Sequence, residues 1–239
     1  MSIAFLIFAL LSEVVGTIAG FGSSTIFLPL ALLVFDFKTA LVLVAFLHIF
    51  GNCGRIGFFR YGLDWKLLIT FGIPSVIGSV SGAYLVPFVS QDVIKGVLGI
   101  FLVLYAVIFL WKEKLQFAPR LTNTIIGGSL SGFLAGLIGT GGALRGAFLT
   151  AFQLNKERYI ATAAAIALAV DVTRIPVYLH QGFLERQYYI YIVPLFVIAL
   201  GGSYLGKRVV EKIPQKHFKR LVLLAVLVIG LKFMYDWVV

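Results

Sequence analysis

Two short stretches decide the fold of this chain of 239 residues: 19-AGFGSSTIFLPLAL-32 and 135-AGLIGTGGALRGAFL-149. Each lies near the middle of an apolar run, over residues 3–35 and 122–152. Because about 20 helical residues span a bilayer core of ~30 Å, both runs are too long for one crossing. Glycine and hydroxyl residues interrupt the helix at both places. Both runs must therefore fold back or tilt strongly inside a membrane.

The composition indicates a membrane protein. Hydrophobic residues make up 60% of the chain and charged residues 13%, and apolar runs recur along its whole length. We predict an all-α polytopic membrane protein without a sizeable soluble domain. The net charge of +10 comes from Lys and Arg in short loops beside apolar runs, which favours a membrane face over a nucleic-acid partner.

Sequence motifs of enzymes and metal sites are missing from the chain. No spacing matches a P-loop, a zinc site or a nucleophile elbow, and Cys53 is the sole cysteine. We therefore predict no enzymatic activity, no metal, no cofactor and no intrachain disulfide.

The two interrupted runs open two related halves. Corresponding residues follow in the same order: Ala19 with Ala135, Gly22 with Gly139, Asn52 with Asp171, Arg55 with Arg174, Pro74 with Pro194 and Gly82 with Gly202. We predict a first repeat over 1–111, a cytoplasmic linker over 112–121 and a second repeat over 122–239. The predicted segments are 3–35, 39–58, 66–86 and 92–110 in the first repeat, and 122–152, 158–179, 188–206 and 218–238 in the second.

The distribution of Lys and Arg favours a re-entrant hairpin for each interrupted run. If both runs fold back, thirteen loop residues with positive charge lie on one face and four on the other; if all eight segments cross, the division is ten to seven. A cytoplasmic face carries such an excess, so we expect a hairpin plus three transmembrane helices, twice. Three crossings per half make the repeats inverted. Eight full spans with kinked first and fifth helices are the alternative.

The interruptions are the predicted substrate site, because irregular backbone at membrane depth occurs where protein or a water-filled cavity satisfies it. A helix that restarts there directs free amides and its positive dipole end toward a ligand, which suits an anion. Close helix packing is the alternative explanation for the glycines. The candidate binding residues are Gly22, Ser23, Ser24, Thr25, Gly139, Thr140, Gly141 and Gly142.

Five charged residues fall within predicted spans, where a charge is costly: Glu13, Arg55, Arg145, Asp171 and Arg174. Asp171 and Arg174 lie one helical turn apart and could form a structural pair. The counterpart of Asp171 is the neutral Asn52, so Arg55 is predicted to be the freer cation. Arg145 follows the second interruption and could donate to an oxyanion. Snorkelling toward a membrane face is the alternative for Arg55 and Arg174.

Glu13, Asp171 and His48 are candidates for coupling to a proton, since each lies within a span and can titrate. Glu13 either carries the proton or holds Arg145 in place. His48 is predicted to be a packed, hydrogen-bonded histidine, and its repeat counterpart Ala167 excludes a histidine pair. A coupled cation is an alternative to the proton.

The two quoted stretches, the length and the glycine-rich third span of each half resemble the sulfite exporter TauE/SafE family, over nearly the whole chain. The family pattern runs G-x-G-G-G and then Pro; here Ser23 and Ser24 replace glycines, and Gly146 stands where the first half has Pro29. The resemblance implies a secondary transporter in the cell membrane that exports sulfite, sulfoacetate or related sulfur oxyanions. It also implies a site at the interruptions and the nearby arginines.

Alternating access between the inverted repeats is the expected mechanism, with the basic loops cytoplasmic and both termini outside. An importer or a channel for another small anion, such as thiosulfate or a carboxylate, is the alternative, as is a membrane-bound accessory protein. The expected partners are a small anion and the lipid bilayer. The sequence leaves the oligomeric state open, with a homodimer among the options.

Overall fold

A computed structural model describes residues 2–19, 23–59, 62–111, 118, 120–149, 152–210 and 215–238. These residues form helices joined by short connections, and none of them lies in a strand. The helices are α1 (Ile3–Ala19), α2 (Ser23–Ala31), α3 (Phe37–Phe58), α4 (Trp65–Leu67), α5 (Ile73–Leu85), α6 (Gln91–Trp111), α7 (Leu121–Ile138), α8 (Gly142–Leu149), α9 (Lys156–His180), α10 (Ile192–Val210) and α11 (Gln215–Val238).

Six helical stretches within the described ranges are long and apolar enough to cross a membrane, and α1 is a shorter apolar helix. One of the six joins α4 to α5 through a π-helical turn, Leu68–Gly72, just before Pro74. Such a turn accommodates a proline, whose ring would clash with the preceding helical turn. The predicted class, an all-α polytopic membrane protein, is confirmed.

The first interrupted run is a helical hairpin. The chain reverses between α1 and α2, so that a Cβ atom on Gly16 would lie 2.4 Å from the Cβ of Ser23. Further along, the ring centroids of Phe5 and Phe27 are 5.0 Å apart. Phe5 also contacts Phe35, with centroids 4.8 Å apart. The chain therefore returns to the level at which α1 begins.

The second interrupted run has the same form. Ser131 Oγ in α7 donates to the Gly141 carbonyl over 2.8 Å. A Cβ atom on Gly127 would lie 2.6 Å from the Phe148 ring. The short helices α2 and α8 have 9 and 8 residues, and about 1.5 Å per residue makes them less than half as long as the bilayer core is thick. This geometry contradicts the alternative of eight full spans.

Helix packing is reciprocal between the two predicted repeats. The hairpin helix α1 packs against α10, and the hairpin helix α7 packs against α5. The second spans α3 and α9 pack together, as do the last spans α6 and α11. This is the packing expected of two repeats related by an approximate two-fold axis. The repeat limits 1–111 and 122–239, and the inversion of the repeats across a membrane, stay predictions.

Glycine allows the backbones of α5 and α7 to approach closely. A Cβ atom on Gly82 would lie 2.4 Å from the Phe133 carbonyl oxygen, and one on Gly132 would lie 1.9 Å from the Ser75 carbonyl oxygen. Ser75 Oγ also donates to the Gly128 carbonyl over 3.0 Å. This interface therefore fixes the second hairpin against the third span of the other half.

Basic and aromatic residues mark the two ends of the helix bundle. At one end, Lys207 lies 5.8 Å from the ring centre of Phe58, and Arg158 forms a 3.4 Å ion pair with Asp64. At the other end, Lys38 lies 5.3 Å from the ring centre of Phe183. Lys207 and Arg158 are among the thirteen basic loop residues that the hairpin topology places on one membrane face. Lys38 is among the four that it places on the other face.

Candidate functional site

The tips of the two hairpins meet inside the bundle. The Oγ1 atoms of Thr25 and Thr140 lie 2.7 Å apart, and both side chains are buried. Ser23 and Ser24 are buried beside Thr25. The contact joins residues 115 positions apart in the sequence. The structure thus brings the two predicted interruptions together at a single buried polar point.

The second tip depends on a glycine with left-handed backbone. Gly139 ends α7 with a φ of 76°, a conformation that strongly favours glycine. Gly141 and Gly142 are buried and lead directly into α8. The first backbone amides of α8 and of α2 have no acceptor within their own helices. The predicted residue Gly22 lies outside the described residues.

Arg145 lies in α8, five positions after the tip residue Thr140, and has no counter-ion among the described residues. Its side chain is 3% exposed. It forms no ion pair with any other described residue, and its Nε atom has no hydrogen-bond partner there. The charges of Arg55, Arg174 and Asp171 act on it electrostatically. Three guanidinium groups therefore converge on the region of the tips.

Arg55 is not the free cation that the sequence predicted. Its Nη2 atom donates to Glu13 Oε1 over 2.5 Å, and its Nε atom to Thr17 Oγ1 over 3.1 Å. Asn52 Oδ1 accepts from Nη1 over 2.7 Å, and Ser23 Oγ accepts from Nη2 over 3.3 Å. The prediction failed because the counter-ion comes from another helix, α1, 42 positions away. Snorkelling is also wrong for Arg55, which is 2% exposed.

Glu13 binds Arg55, so the alternative in which it holds Arg145 is wrong. Ser203 Oγ donates to Glu13 Oε1 over 2.8 Å. The carboxylate fits between two glycines, since a Cβ atom on Gly51 or Gly202 would lie 2.2 Å or 2.9 Å from its side chain. Glu13 Oε2 has no partner among the described residues. The carboxylate therefore connects α1 to α3 and α10.

Asp171 and Arg174 form the structural pair that their spacing predicted. Arg174 Nε and Nη2 donate to Asp171 Oδ1 over 2.8 Å and 2.7 Å. Arg174 Nη1 also donates to the Ala135 carbonyl, and Tyr178 Oη donates to the Gly136 carbonyl over 2.5 Å. Arg174 is 1% exposed and does not snorkel. The pair therefore binds the last turn of α7, directly before the second tip.

His48 joins this pair from the other half of the chain. Its Nδ1 atom lies 2.7 Å from Asp171 Oδ2, and the ring is buried. The prediction of a packed, hydrogen-bonded histidine is confirmed. Its second nitrogen, Nε2, has no partner among the described residues.

Several buried polar atoms near the tips are unsatisfied within the described chain. They are Glu13 Oε2, His48 Nε2, Asn52 Nδ2, Arg145 Nε and Tyr159 Oη. Buried polar atoms in native proteins are nearly always paired with protein or with bound molecules. A polar ligand or ordered water is therefore the natural occupant of this region. The described residues contain no group of three His, Cys, Asp or Glu side chains placed to hold a metal ion.

Sequence reasoning missed four polar residues of this region: Thr17, Tyr159, Tyr178 and Ser203. Thr17 bonds Arg55 across 38 positions, and Ser203 bonds Glu13 across 190 positions. Tyr159 is partly buried, and its enclosed Oη atom lies within range of the Arg145 charge. Hydroxyl residues are common in membrane helices, so spacing within one helix gives no signal for such partners.

A multi-pass helical protein whose two hairpins meet at a buried, positively charged polar site has the construction of a membrane transporter. Comparison with known proteins agrees with this class. The family model described as "Sulfite exporter TauE/SafE" matches residues 4–233. The chain belongs to the sulfite exporter TauE/SafE family, and it is a membrane transporter.

Curated relatives carry names of the same class. The "Probable membrane transporter protein MJ0441" of Methanocaldococcus jannaschii is 25% identical over 231 residues, covering 86% of this chain and 85% of that protein. The "Probable membrane transporter protein YdhB" of Bacillus subtilis is 24% identical, covering 76% and 78%. The "Probable membrane transporter protein YfcA" of Escherichia coli is 26% identical, covering 72% and 65%. No solved structure matches the chain.

Proposed function

We propose that this protein is a secondary transporter that exports sulfite, sulfoacetate or a related sulfur oxyanion by alternating access. The anion binds between the hairpin tips, held by the free amides at the starts of α2 and α8, by the hydroxyl groups there, and by Arg145. The family description supports both the substrate class and the direction. The single observation that carries the proposal is the buried Arg145, which follows the tip residue Thr140 by five positions and has no counter-ion among the described residues.

The charges of the site support an anion rather than a cation. Three guanidinium groups and two carboxylates leave one positive charge while His48 is neutral. Arg55 and Arg174 are already paired, so the excess charge belongs to Arg145. Burying an unpaired guanidinium is unfavourable. A bound oxyanion would relieve that cost and accept hydrogen bonds from the planar guanidinium group.

The packing of the hairpins supports a carrier over a channel. The side chains of the two tips are buried and in contact at 2.7 Å, whereas a channel needs a continuous polar path through the same point. Each hairpin packs mainly against a helix of the other half. Rocking of the halves would therefore open the tip contact toward one end of the bundle at a time. We assign the end with Lys207 and Arg158 to the cytoplasm, with both termini outside.

The test is transport by purified protein in liposomes, with sulfite, sulfoacetate, thiosulfate, sulfate and short carboxylates offered separately. We expect saturable uptake and counterflow for sulfur oxyanions. Flux without saturation or counterflow would indicate a channel, and no flux of any anion in the panel would contradict the proposal.

The matched variants are Arg145→Gln and Arg158→Gln. The first removes the guanidinium beside the tips, and the second removes a guanidinium that is about half exposed. Loss of charged hydrogen bonds predicts that Arg145→Gln weakens anion binding by about 10- to 100-fold, since each 1.4 kcal/mol is tenfold. We expect Arg158→Gln to bind like the unmodified protein. Equal binding by both variants would contradict the role of Arg145.

A further inference from the structure

We propose that His48 is the proton site of the transport cycle, so that the anion and one proton bind together and cross together. This inference rests on the proposed function, because it needs an anion at the hairpin tips.

The partners of the two ring nitrogens of His48 decide which nitrogen carries the proton. Arg174 holds Asp171 through two short hydrogen bonds to Oδ1, of 2.8 Å and 2.7 Å. A carboxylate held in this way stays ionised and has no proton to donate. The hydrogen bond of 2.7 Å between Asp171 Oδ2 and His48 Nδ1 therefore uses a proton on Nδ1. In the neutral ring, Nε2 is then the nitrogen with the free lone pair.

The other ring nitrogen, Nε2, is buried and has no hydrogen-bond partner among the described residues. A buried acceptor without a donor is a position that a proton can take. The proton comes from the aqueous phase to which the site is open, and it bonds to the Nε2 lone pair. The O–H bond of the donating hydronium ion breaks as the N–H bond forms, a water molecule is left, and Nδ1 keeps its hydrogen bond to Asp171.

Charged side chains from several helices face His48. Asp171 and Arg174 face it from α9, Arg145 from α8 and Arg55 from its own helix. Glu13 in α1 neutralises Arg55, and α2 carries no charged residue. In α10, Lys207 lies at the end of the bundle, where it contacts Phe58 and Phe59.

These charges make the anion and the proton depend on each other. The site carries one excess positive charge while His48 is neutral and two when His48 is protonated. Burial and repulsion from Arg145 oppose protonation of His48 in the empty site, and an anion bound at Arg145 weakens that repulsion. By linkage, the proton strengthens anion binding to the same extent. A dianion with one proton matches the two positive charges.

The position of His48 also connects the two halves. His48 lies in α3 of the first half, and Asp171 lies in α9 of the second, 123 positions away. Arg174 binds Asp171 and also donates to the Ala135 carbonyl in the last turn of α7. A change of charge at His48 therefore acts on the element that carries the second tip.

The experiment measures the affinity of the purified protein for sulfoacetate from about pH 6 to pH 8, the range in which a histidine titrates. The charge of this probe is constant there, so any change in affinity comes from the protein. We expect affinity to fall as the pH rises, approaching about tenfold per pH unit, the limit for one coupled proton. His48→Gln should bind with an affinity that changes less than about twofold over the same range.

The matched control is His180→Gln, a histidine in the last turn of α9. We expect it to keep the full pH dependence. The inference is overturned if the unmodified protein binds sulfoacetate without pH dependence, or if His48→Gln keeps the slope. If the unmodified protein binds no sulfur oxyanion at any pH, the proposed function itself fails, and that result is distinct.

A second measurement leaves His48 unchanged, in case its variant does not fold. The chain has three histidines, so the double variant His180→Gln/His217→Gln retains His48 alone. Its imidazole NMR signal reports the titration of that one ring. We expect sulfoacetate to move the titration midpoint to higher pH, whereas an unchanged midpoint would overturn the inference.

Discussion

Each half of the transporter contains a buried arginine that is paired with a carboxylate, and the position of the carboxylate differs between the halves. In the first half, Arg55 of α3 binds Glu13 of α1, 42 positions away. In the second half, Arg174 of α9 binds Asp171, three positions away in the same helix. Both arginines also reach the hairpin of their own half, Arg55 through Thr17 and Ser23, and Arg174 through the Ala135 carbonyl.

The shared feature is therefore an arginine of the second span that binds the neighbouring hairpin, while the position of its counter-ion differs. In the first half the counter-ion belongs to the hairpin and adds to that attachment. In the second half it belongs to the span and is free to contact His48 at 2.7 Å. The comparison suggests that the first pair fixes a hairpin and the second pair also communicates between the halves.

Removing Glu13 should have the largest effect. Glu13→Ala leaves Arg55 buried with hydroxyl and amide partners but without a counter-ion, and breaking a buried ion pair costs about 3–5 kcal/mol. We expect this loss in the free energy of unfolding, measured by denaturation in detergent micelles. Hydrogen exchange should also increase in α1.

Two further variants sharpen this result. Glu157→Ala removes an exposed carboxylate from the first turn of α9 and should change stability by less than about 0.5 kcal/mol. The double variant Glu13→Ala/Arg55→Leu removes both charges and should be more stable than Glu13→Ala. A stable Glu13→Ala protein would contradict the structural role of this pair.

Alanine at Gly82, or at its repeat counterpart Gly202, should lower the free energy of unfolding by less than Glu13→Ala does. We expect the loss at Gly82 to be the larger of the two. A Cβ atom on Gly82 would lie 2.4 Å from the backbone oxygen of Phe133, whereas one on Gly202 would lie 2.9 Å from the side chain of Glu13. The overlap at Gly202 is the smaller of the two, so a shorter displacement of the neighbouring helix relieves it. We expect Gly82→Ala to lose about 1–3 kcal/mol of unfolding free energy.

Gly202→Ala should lose less stability than Gly82→Ala in the same denaturation assay. The matched substitution at corresponding positions makes each variant the control of the other. The reverse order would show that the α1–α10 interface is the more rigid of the two.

Removing one hydroxyl group from the tips should have the smallest effect on stability. Thr140→Val keeps the shape and loses the hydrogen bond to Thr25, which predicts about 0.5–1.5 kcal/mol. We expect a larger effect on anion uptake than on stability. Thr173→Val is the control, because among the described residues the Thr173 hydroxyl bonds to carbonyls of its own helix. If the two variants transport equally, the tip hydroxyl is not part of the site.

The fold could be predicted from the sequence where a physical rule acts locally. The excess length of residues 3–35 and 122–152 indicated that each run folds back or tilts, because a bilayer has a fixed thickness, and the distribution of Lys and Arg favoured the hairpin. The i, i+3 spacing of Asp171 and Arg174 indicated a pair, because one helix face holds both. These two predictions needed no knowledge of tertiary packing.

The partners of Arg55 and His48 could not be predicted in this way. Their carboxylates come from α1 and α9, and the choice depends on which helices pack together. An arginine with no acid on its own helix was therefore read as free. Among the described residues, the buried arginine without a counter-ion is Arg145, whose counterpart in the first half is the buried Leu28. The predicted duplication thus indicated the features that the two halves share, whereas the proposed binding residue Arg145 has no charged counterpart.

The most direct test of the account is a disulfide between the tips. Thr25→Cys/Thr140→Cys, in a Cys53→Ser background that removes the exposed native thiol, places two sulfurs where two hydroxyls are 2.7 Å apart. As a control, Thr124→Cys replaces Thr140→Cys, since Thr124 lies about 20 Å from the tip along α7.

We predict that oxidation closes the 25–140 disulfide but not the 25–124 disulfide, that it stops sulfoacetate counterflow, and that dithiothreitol restores it. Saturating sulfoacetate should slow the closure. Failure of the 25–140 pair to cross-link, or full counterflow by the cross-linked protein, would contradict an anion site between two meeting hairpin tips.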